Sequence, residues 1–230
     1  MGYVPLFLAV TGTRCAVIGG DPSAEDRVRS LLAEEATVTV ISPTLTLGLH
    51  QMVEQGLVRC HERVLMPGDL AGFTLAYCTD TDPAIVHMAV AEADAQGVLI
   101  NVLDDPGLCR FIAPAVVKRG ALRIAISTSG ASPALARAIR HELDEQFQPS
   151  WEVLLTALAR VRGYLRDREP DATRRVALNR KLAELLRPVL LRGDYLAANA
   201  GLREEIGIGL ADLGIEVPPV ITPPRSPRSV

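Results

Sequence analysis

The sequence predicts an α/β fold: a doubly wound parallel sheet, then a strand-plus-helix segment and a helical remainder. Three observations carry this. Short β-rich runs alternate with helical patterns through the first 130 residues, a glycine pair closes the first run, and strands give out after Trp151.

CAVIGG (15–20) reads as a buried strand, and Ala24, Val28, Leu31 and Leu32 then recur at helical spacing. TVTVISP (37–43), LVRCHERV (57–64) and TLAYCTD (74–80) read as the next three strands. A helix over 83–96 leads to a fifth strand, VLINVLDD (98–105). Alternation of this kind implies parallel pairing through right-handed crossovers, which places ligands at the C-terminal ends of the strands. ALRIAISTSG (121–130) is a further strand ending in Ser, Thr and Gly. SPALARAIRHELDEQF (132–147) reads as a helix with Pro133 in its first turn and Leu135, Ile139 and Leu143 on its apolar stripe. Two amphipathic helices follow, one through Trp151, Leu154, Leu158 and Val161, the other through Val176, Leu182, Leu186 and Val189. The end, PPVITPPRSPRSV, has the composition of a disordered tail.

Composition narrows the function classes. A net charge of −3 argues against a general nucleic-acid binder. No run approaches the ~18 consecutive apolar residues of a membrane span, so no membrane partner is expected. MGYVPLFLAV lacks a basic leading region and does not read as a signal peptide. Cys15, Cys60, Cys78 and Cys109 form no CxxC pair and the histidines are equally scattered, so no structural metal site is expected. A reducing cytoplasm fits four separate cysteines.

The first turn, GGDPSA (19–24), supports two readings. As a dinucleotide turn, Gly19 and Gly20 let the backbone approach a pyrophosphate and Ala24 lets the helix pack on the strand. The middle glycine of a G-x-G-x-x-A pattern is then Asp21, whose charge repels a phosphate unless the side chain turns away. As a helix start, Asp21 caps and Pro22 fills the first helical position without any ligand. The second strand ends in Ile41-Ser42-Pro43-Thr44, with no acid to hold a ribose.

Read together, PLFLAVTGTRCAVIGG, CTDTD, INVLDDPGLCRFIAPAVVKRG and LRIAISTSGASPALARAIRHELDE resemble the precorrin-2 dehydrogenase family, which includes the front module of siroheme synthase and related dehydrogenase/ferrochelatases. The resemblance covers residues 3–147 well and the helical remainder weakly. It implies an NAD-binding Rossmann domain over 1–113, a dimerisation segment of one strand and one helix over 114–148, and a helical domain over 149–215, with the tail at 216–230. It implies a homodimer that oxidises precorrin-2 to sirohydrochlorin with NAD⁺ in siroheme biosynthesis. Some members also insert Fe²⁺.

Carried over by position, the cofactor contacts are Gly19, Gly20, Pro22, Ser23, Pro43 and Thr44, with Thr79 and Asp80 on the nicotinamide side. The family's key aspartate, at the end of its fifth strand, matches Asp104, and its tetrapyrrole-facing turn matches Ser127, Thr128, Ser129 and Gly130. Dehydrogenation removes a hydride and a proton, so a carboxylate beside the nicotinamide suits a general base. The other reading of Asp104 is a cap on the turn Asp105-Pro106-Gly107. A polycarboxylate substrate calls for a basic site, which Arg110 and Lys118 are placed to supply, although single surface cations are more often merely solvated. A non-catalytic tetrapyrrole-binding protein on the same scaffold remains the alternative, kept open by Asp21 and Pro22.

Overall fold

The computed structural model describes residues 2–216, so the tail expected over 216–230 lies, but for Glu216, outside the described residues. The chain divides into two compact units. The first holds the residues up to Ala113 together with Ser129–Ala131, and the second holds Pro114–Thr128 and the residues from Ser132.

In the first unit the order is β1 (Arg14–Ile18), α1 (Pro22–Leu32), β2 (Thr37–Ile41), α2 (Leu47–Glu54), β3 (Arg59–His61), β4 (Leu75–Cys78), α3 (Pro83–Gln96) and β5 (Leu99–Val102). The five strands pair in parallel in the order β3-β2-β1-β4-β5. This is the doubly wound sheet that the alternating pattern predicts. Because such a sheet is covered on both faces, its strands are apolar on both sides. Ala16 and Ile18 pack on one face with Ala76, Ile100 and the Ala89 and Ala93 of α3. Cys15 and Val17 pack on the other with Val38, Val40 and the Ala24, Val28 and Leu31 of α1. Chain order jumps at the centre: β1 is followed by β2 on one side, while β4 pairs on its other side. The switch point between β1 and β4 is therefore where this fold opens a ligand crevice.

Each helix on the sheet begins with its own cap. Asp21 caps α1 and Asp82 caps α3, each followed by a proline in the first turn, while Thr46 caps α2. The proline costs nothing there, because a first-turn amide has no partner inside the helix.

The second unit contains β6 (Ala115–Arg119) and β7 (Leu122–Ile126), paired antiparallel around Gly120, whose φ of +54° closes the tight turn. Helices α4 (Pro133–Gln146), α5 (Ser150–Arg168), α6 (Ala172–Leu191) and α7 (Tyr195–Ile206) follow. The 114–148 segment thus carries two strands where the sequence reading gives one. AVVKR has only three apolar residues before its charges, too few to read as a strand alone; pairing with β7 makes it one. Among the described residues the helical remainder likewise has three helices, α5 to α7, around a core of Leu154, Val161, Leu182, Leu186, Leu190 and Leu202. Each such side chain, fully buried, contributes about 1.5–3 kcal/mol.

Candidate functional site

The crevice between β1 and β4 is built from three chain ends. Gly19 has φ +123°, a conformation that L side chains rarely adopt, and a Cβ there would run into the Thr79 hydroxyl. Gly20 lies against the Thr44 carbonyl and 2.8 Å, measured from an added Cβ, from Ser42 Oγ. Ser42 donates to the Thr44 carbonyl at 2.7 Å, and the Thr46 amide donates to the Gly20 carbonyl at 3.0 Å. Gly19, Gly20, Thr44 and Thr79 are thus brought together, as the parallel register of β2, β1 and β4 requires. Both glycines are demanded by the protein's own packing.

Asp21 resolves the two readings of the turn. Its Oδ1 accepts from the Ala24 amide at 2.9 Å and from Thr79 Oγ1 at 2.7 Å, and the Glu25 amide donates to its carbonyl at 3.1 Å. Ser23 faces it too. Burial pushes the Asp21 carboxyl up, but the donors of Thr79, Ala24 and Ser23 together outweigh it and leave the group below the usual carboxylate range. The side chain is therefore the helix cap, turned to Thr79, and it is ionised at neutral pH.

A carboxyl held low when folded stabilises the fold above its unfolded pKa, and that contribution disappears as pH falls through the lower folded value. Asp21→Asn should therefore flatten the loss of stability below about pH 4, measured as urea midpoints across the acid range. An unaltered acid slope would mean that other carboxylates carry it.

The residues fit a dinucleotide across this crevice, with one departure. The Gly20 and Asp21 amides donate to no other group among the described residues and remain available to a phosphate. The first-turn amides of α1 are otherwise committed: Pro22 has none, and Ala24 and Glu25 bond Asp21. Pro43 and Thr44 lie exposed beyond β2, where an adenosine would rest, and Asp80, beyond β4, accepts from the Asp82 amide at 2.9 Å.

The second part of the site lies one strand over. The Leu103 amide donates to the Cys78 carbonyl at 2.9 Å, which sets Asp104 next to the Thr79–Asp80 turn. Asp104 is exposed and has φ +58°. The turn role falls to its neighbour: Asp105 Oδ1 accepts from the Gly107 amide at 3.0 Å and caps a short 3-10 turn at Pro106–Leu108. Within the same unit Gly130 lies opposite Pro106, 3.9 Å from an added Cβ. Ser129 and Gly130 have φ of +53° and +84°, so that tight turn and the Asp104 loop are neighbours.

Other predicted residues are placed differently. Thr128 Oγ1 accepts from the Ser132 amide and donates to its carbonyl, both at 3.1 Å, so it shapes the start of α4. Arg110 turns to α3, where its guanidinium grips Asp94 at 2.7 and 2.9 Å, so its charge is already paired. Lys118 and Ser127 are exposed on and after the β6–β7 hairpin. No group of three or more His, Cys, Asp or Glu side chains among the described residues could hold a metal ion. Among those residues no helix is long and apolar enough to cross a membrane. Sequence reasoning missed Ser42 as a contact of Gly20 and the pair Asn101 and Cys109 behind Asp104; the one signal for Asn101 was a lone polar residue in the apolar run LINV.

A parallel sheet of this order with a glycine turn at its switch point defines a nucleotide-binding protein of the Rossmann class. Residues 6–115 match the family described as "Putative NAD(P)-binding", and residues 119–146 match that described as "Sirohaem biosynthesis protein central". The chain thus carries both matched modules, one directly after the other. Siroheme synthase of Chromobacterium violaceum is 32% identical over 213 residues, which are 92% of this chain and 45% of that protein. Siroheme synthase of Pseudomonas aeruginosa PAO1 is 33% identical over 215 residues, 93% of this chain and 46% of that one. The chain thus spans less than half the length of these relatives. Among solved structures, SirC, precorrin-2 dehydrogenase, superposes with a TM-score of 0.70 at 25% identity, covering 78% of this chain and 89% of that one.

Proposed function

We propose that the chain is an NAD-dependent dehydrogenase that oxidises precorrin-2 to sirohydrochlorin in siroheme biosynthesis, working as a cytoplasmic homodimer. The observation that carries this reading is the adjacency, along one edge of a single sheet, of the Gly19–Gly20 turn, Thr79 and the exposed Asp104 loop. A dinucleotide crevice alone serves many reactions; a carboxylate on the next strand end adds a proton acceptor.

NAD⁺, when bound, supplies the hydride acceptor. The protein's own residues do the rest. Gly20 and Asp21 would offer amides to the NAD⁺ phosphates, and Thr79 and Asp80 would border its nicotinamide. Asp104 takes the proton that leaves the macrocycle, so that substrate and NAD⁺ give sirohydrochlorin, NADH and one H⁺. Ser127, Thr128, Ser129, Gly130 and Lys118 are assigned to the tetrapyrrole and its carboxylates. Arg110 is left out, because Asp94 already holds it.

The division of labour follows the sequence expectation: residues 1–113 bind the dinucleotide, 114–148 join two subunits, and 149–215 form the helical domain. Support for the dimer comes from the middle segment. Along the hairpin and α4, Val117 and Ala136 are buried, while Val116 and Leu135 stand 40% and 53% exposed. A segment with so little core of its own gains most from a second copy.

Anaerobic incubation of precorrin-2 with NAD⁺ tests the reading. NADH and sirohydrochlorin should appear in a 1:1 ratio, and Fe²⁺ added afterwards shows whether the same protein inserts metal. The capped α1 terminus favours one rival reading, a tetrapyrrole-binding protein without turnover. Tetrapyrrole binding with no NADH would establish that rival.

A further inference from the structure

β5 is an edge of the sheet, and its outer side would leave backbone groups unpaired beside the Asp104 loop. The chain after the loop doubles back to cover it. The Arg110 amide donates to the Ile100 carbonyl at 2.8 Å, and Asn101 Nδ2 donates to the Phe111 carbonyl at 3.0 Å. Between them sits the buried Cys109. Its sulfur accepts from the Val102 amide at 3.2 Å and from Asn101 Nδ2 at 3.4 Å. Its S–H faces the Val102 carbonyl at 3.3 Å and the Asp105 carbonyl at 3.2 Å. Burial pushes the thiol up, so it keeps its proton and remains a donor.

Most buried cysteines are small apolar filler. This one is not, because a methyl group in its place would take the acceptor from the Val102 amide and leave the Asp105 carbonyl with the Leu108 amide alone. The loop that it closes has something to lose. Asp104 is a non-glycine residue at φ +58° on an exposed tip, a conformation that persists only where the surroundings impose it. One end of the loop is fixed by Leu103 on Cys78; the other is fixed by Cys109 on Val102 and Asp105.

We propose that Cys109, oriented by Asn101, is a positioning residue that holds the 103–108 loop so that Asp104 faces the substrate. This rests on the reading of Asp104 as the proton acceptor.

Cys109→Ala and Cys109→Ser in the full chain test it. The alanine variant should lower kcat about tenfold with KM for NAD⁺ changed less than twofold. Serine, which can both donate and accept, should recover most of kcat. Amide hydrogen exchange without any ligand should quicken in residues 103–108 of the alanine variant and stay unchanged in β1 and β4. Wild-type kcat in Cys109→Ala overturns the proposal, and so does faster exchange throughout the first unit, which would make Cys109 a residue of the fold at large. Asp104→Asn measured alongside separates the two ideas. If it stays active, the reading of Asp104 falls; if it is inactive while Cys109→Ala is fully active, only the positioning falls.

Discussion

Asp104→Asn is expected to lower kcat for precorrin-2 oxidation by about 10²–10⁴-fold while leaving NAD binding and the thermal midpoint close to wild type. The substitution is unusually clean at this position. Asparagine matches aspartate in shape but accepts no proton at neutral pH. It also tolerates the left-handed region well, so the φ of +58° stays as affordable as before. Asp104→Ala would mix lost chemistry with added backbone strain and could not be read. Because Asp104 is exposed and Asp105 caps the turn, little folding energy depends on the carboxylate itself. Initial rates with saturating NAD⁺, a fluorescence titration of the dinucleotide and a melting curve together check the prediction. Full activity in the variant removes Asp104 as the base and returns it to a loop residue.

The sheet and the position of its ligand crevice were legible because each strand is an apolar run bounded by polar or turn residues. Parallel pairing then follows from the helices between the runs. What escaped depends on partners distant in sequence or on weak local signals. β6 becomes a strand by pairing with β7, and α2, LGLHQMVE, hides its helical period behind Gly48. Asp21 was readable as a cap, since Asp-Pro before a helix is a local signal. That its carboxylate is also tied to Thr79, 58 residues away, follows only from the pairing of β1 with β4. Cys109 gave no signal beyond its distance from other cysteines; its role appears when the chain folds back along β5. The positive φ of Asp104 was equally invisible: Asp-Pro-Gly marks Asp105 as the turn residue, but nothing in NVLDDPG shows that Asp104 is strained.

Asp21→Asn is expected to tighten NAD binding by about fivefold to thirtyfold. A helix terminus contributes roughly +0.5 charge and an ionised carboxylate −1, so the start of α1 presents a net negative end to an incoming pyrophosphate. Two unit charges 4 Å apart repel by about 1 kcal/mol in water and about 4 kcal/mol at an effective dielectric of 20. Asp21 is exposed, which puts the effect toward the lower end, and each 1.4 kcal/mol is about tenfold in affinity. Asparagine can still accept from Ala24 and Thr79, so the cap survives while the charge goes. Asp21→Gly should bind at least as tightly, since it also frees the Ala24 amide, but it should melt earlier because the tie to Thr79 is lost. The gap between wild type and Asp21→Asn should shrink as salt is raised, because exposed charges are screened. Titrating NAD at low and high ionic strength checks both expectations. Equal affinities at low salt would mean that the phosphates keep clear of α1 and that Asp21 is a cap and nothing more. A tighter Asp21→Asn would mean that this chain holds its cofactor weakly through one residue of its own sequence, and that a single neutral substitution restores what the helix terminus can offer.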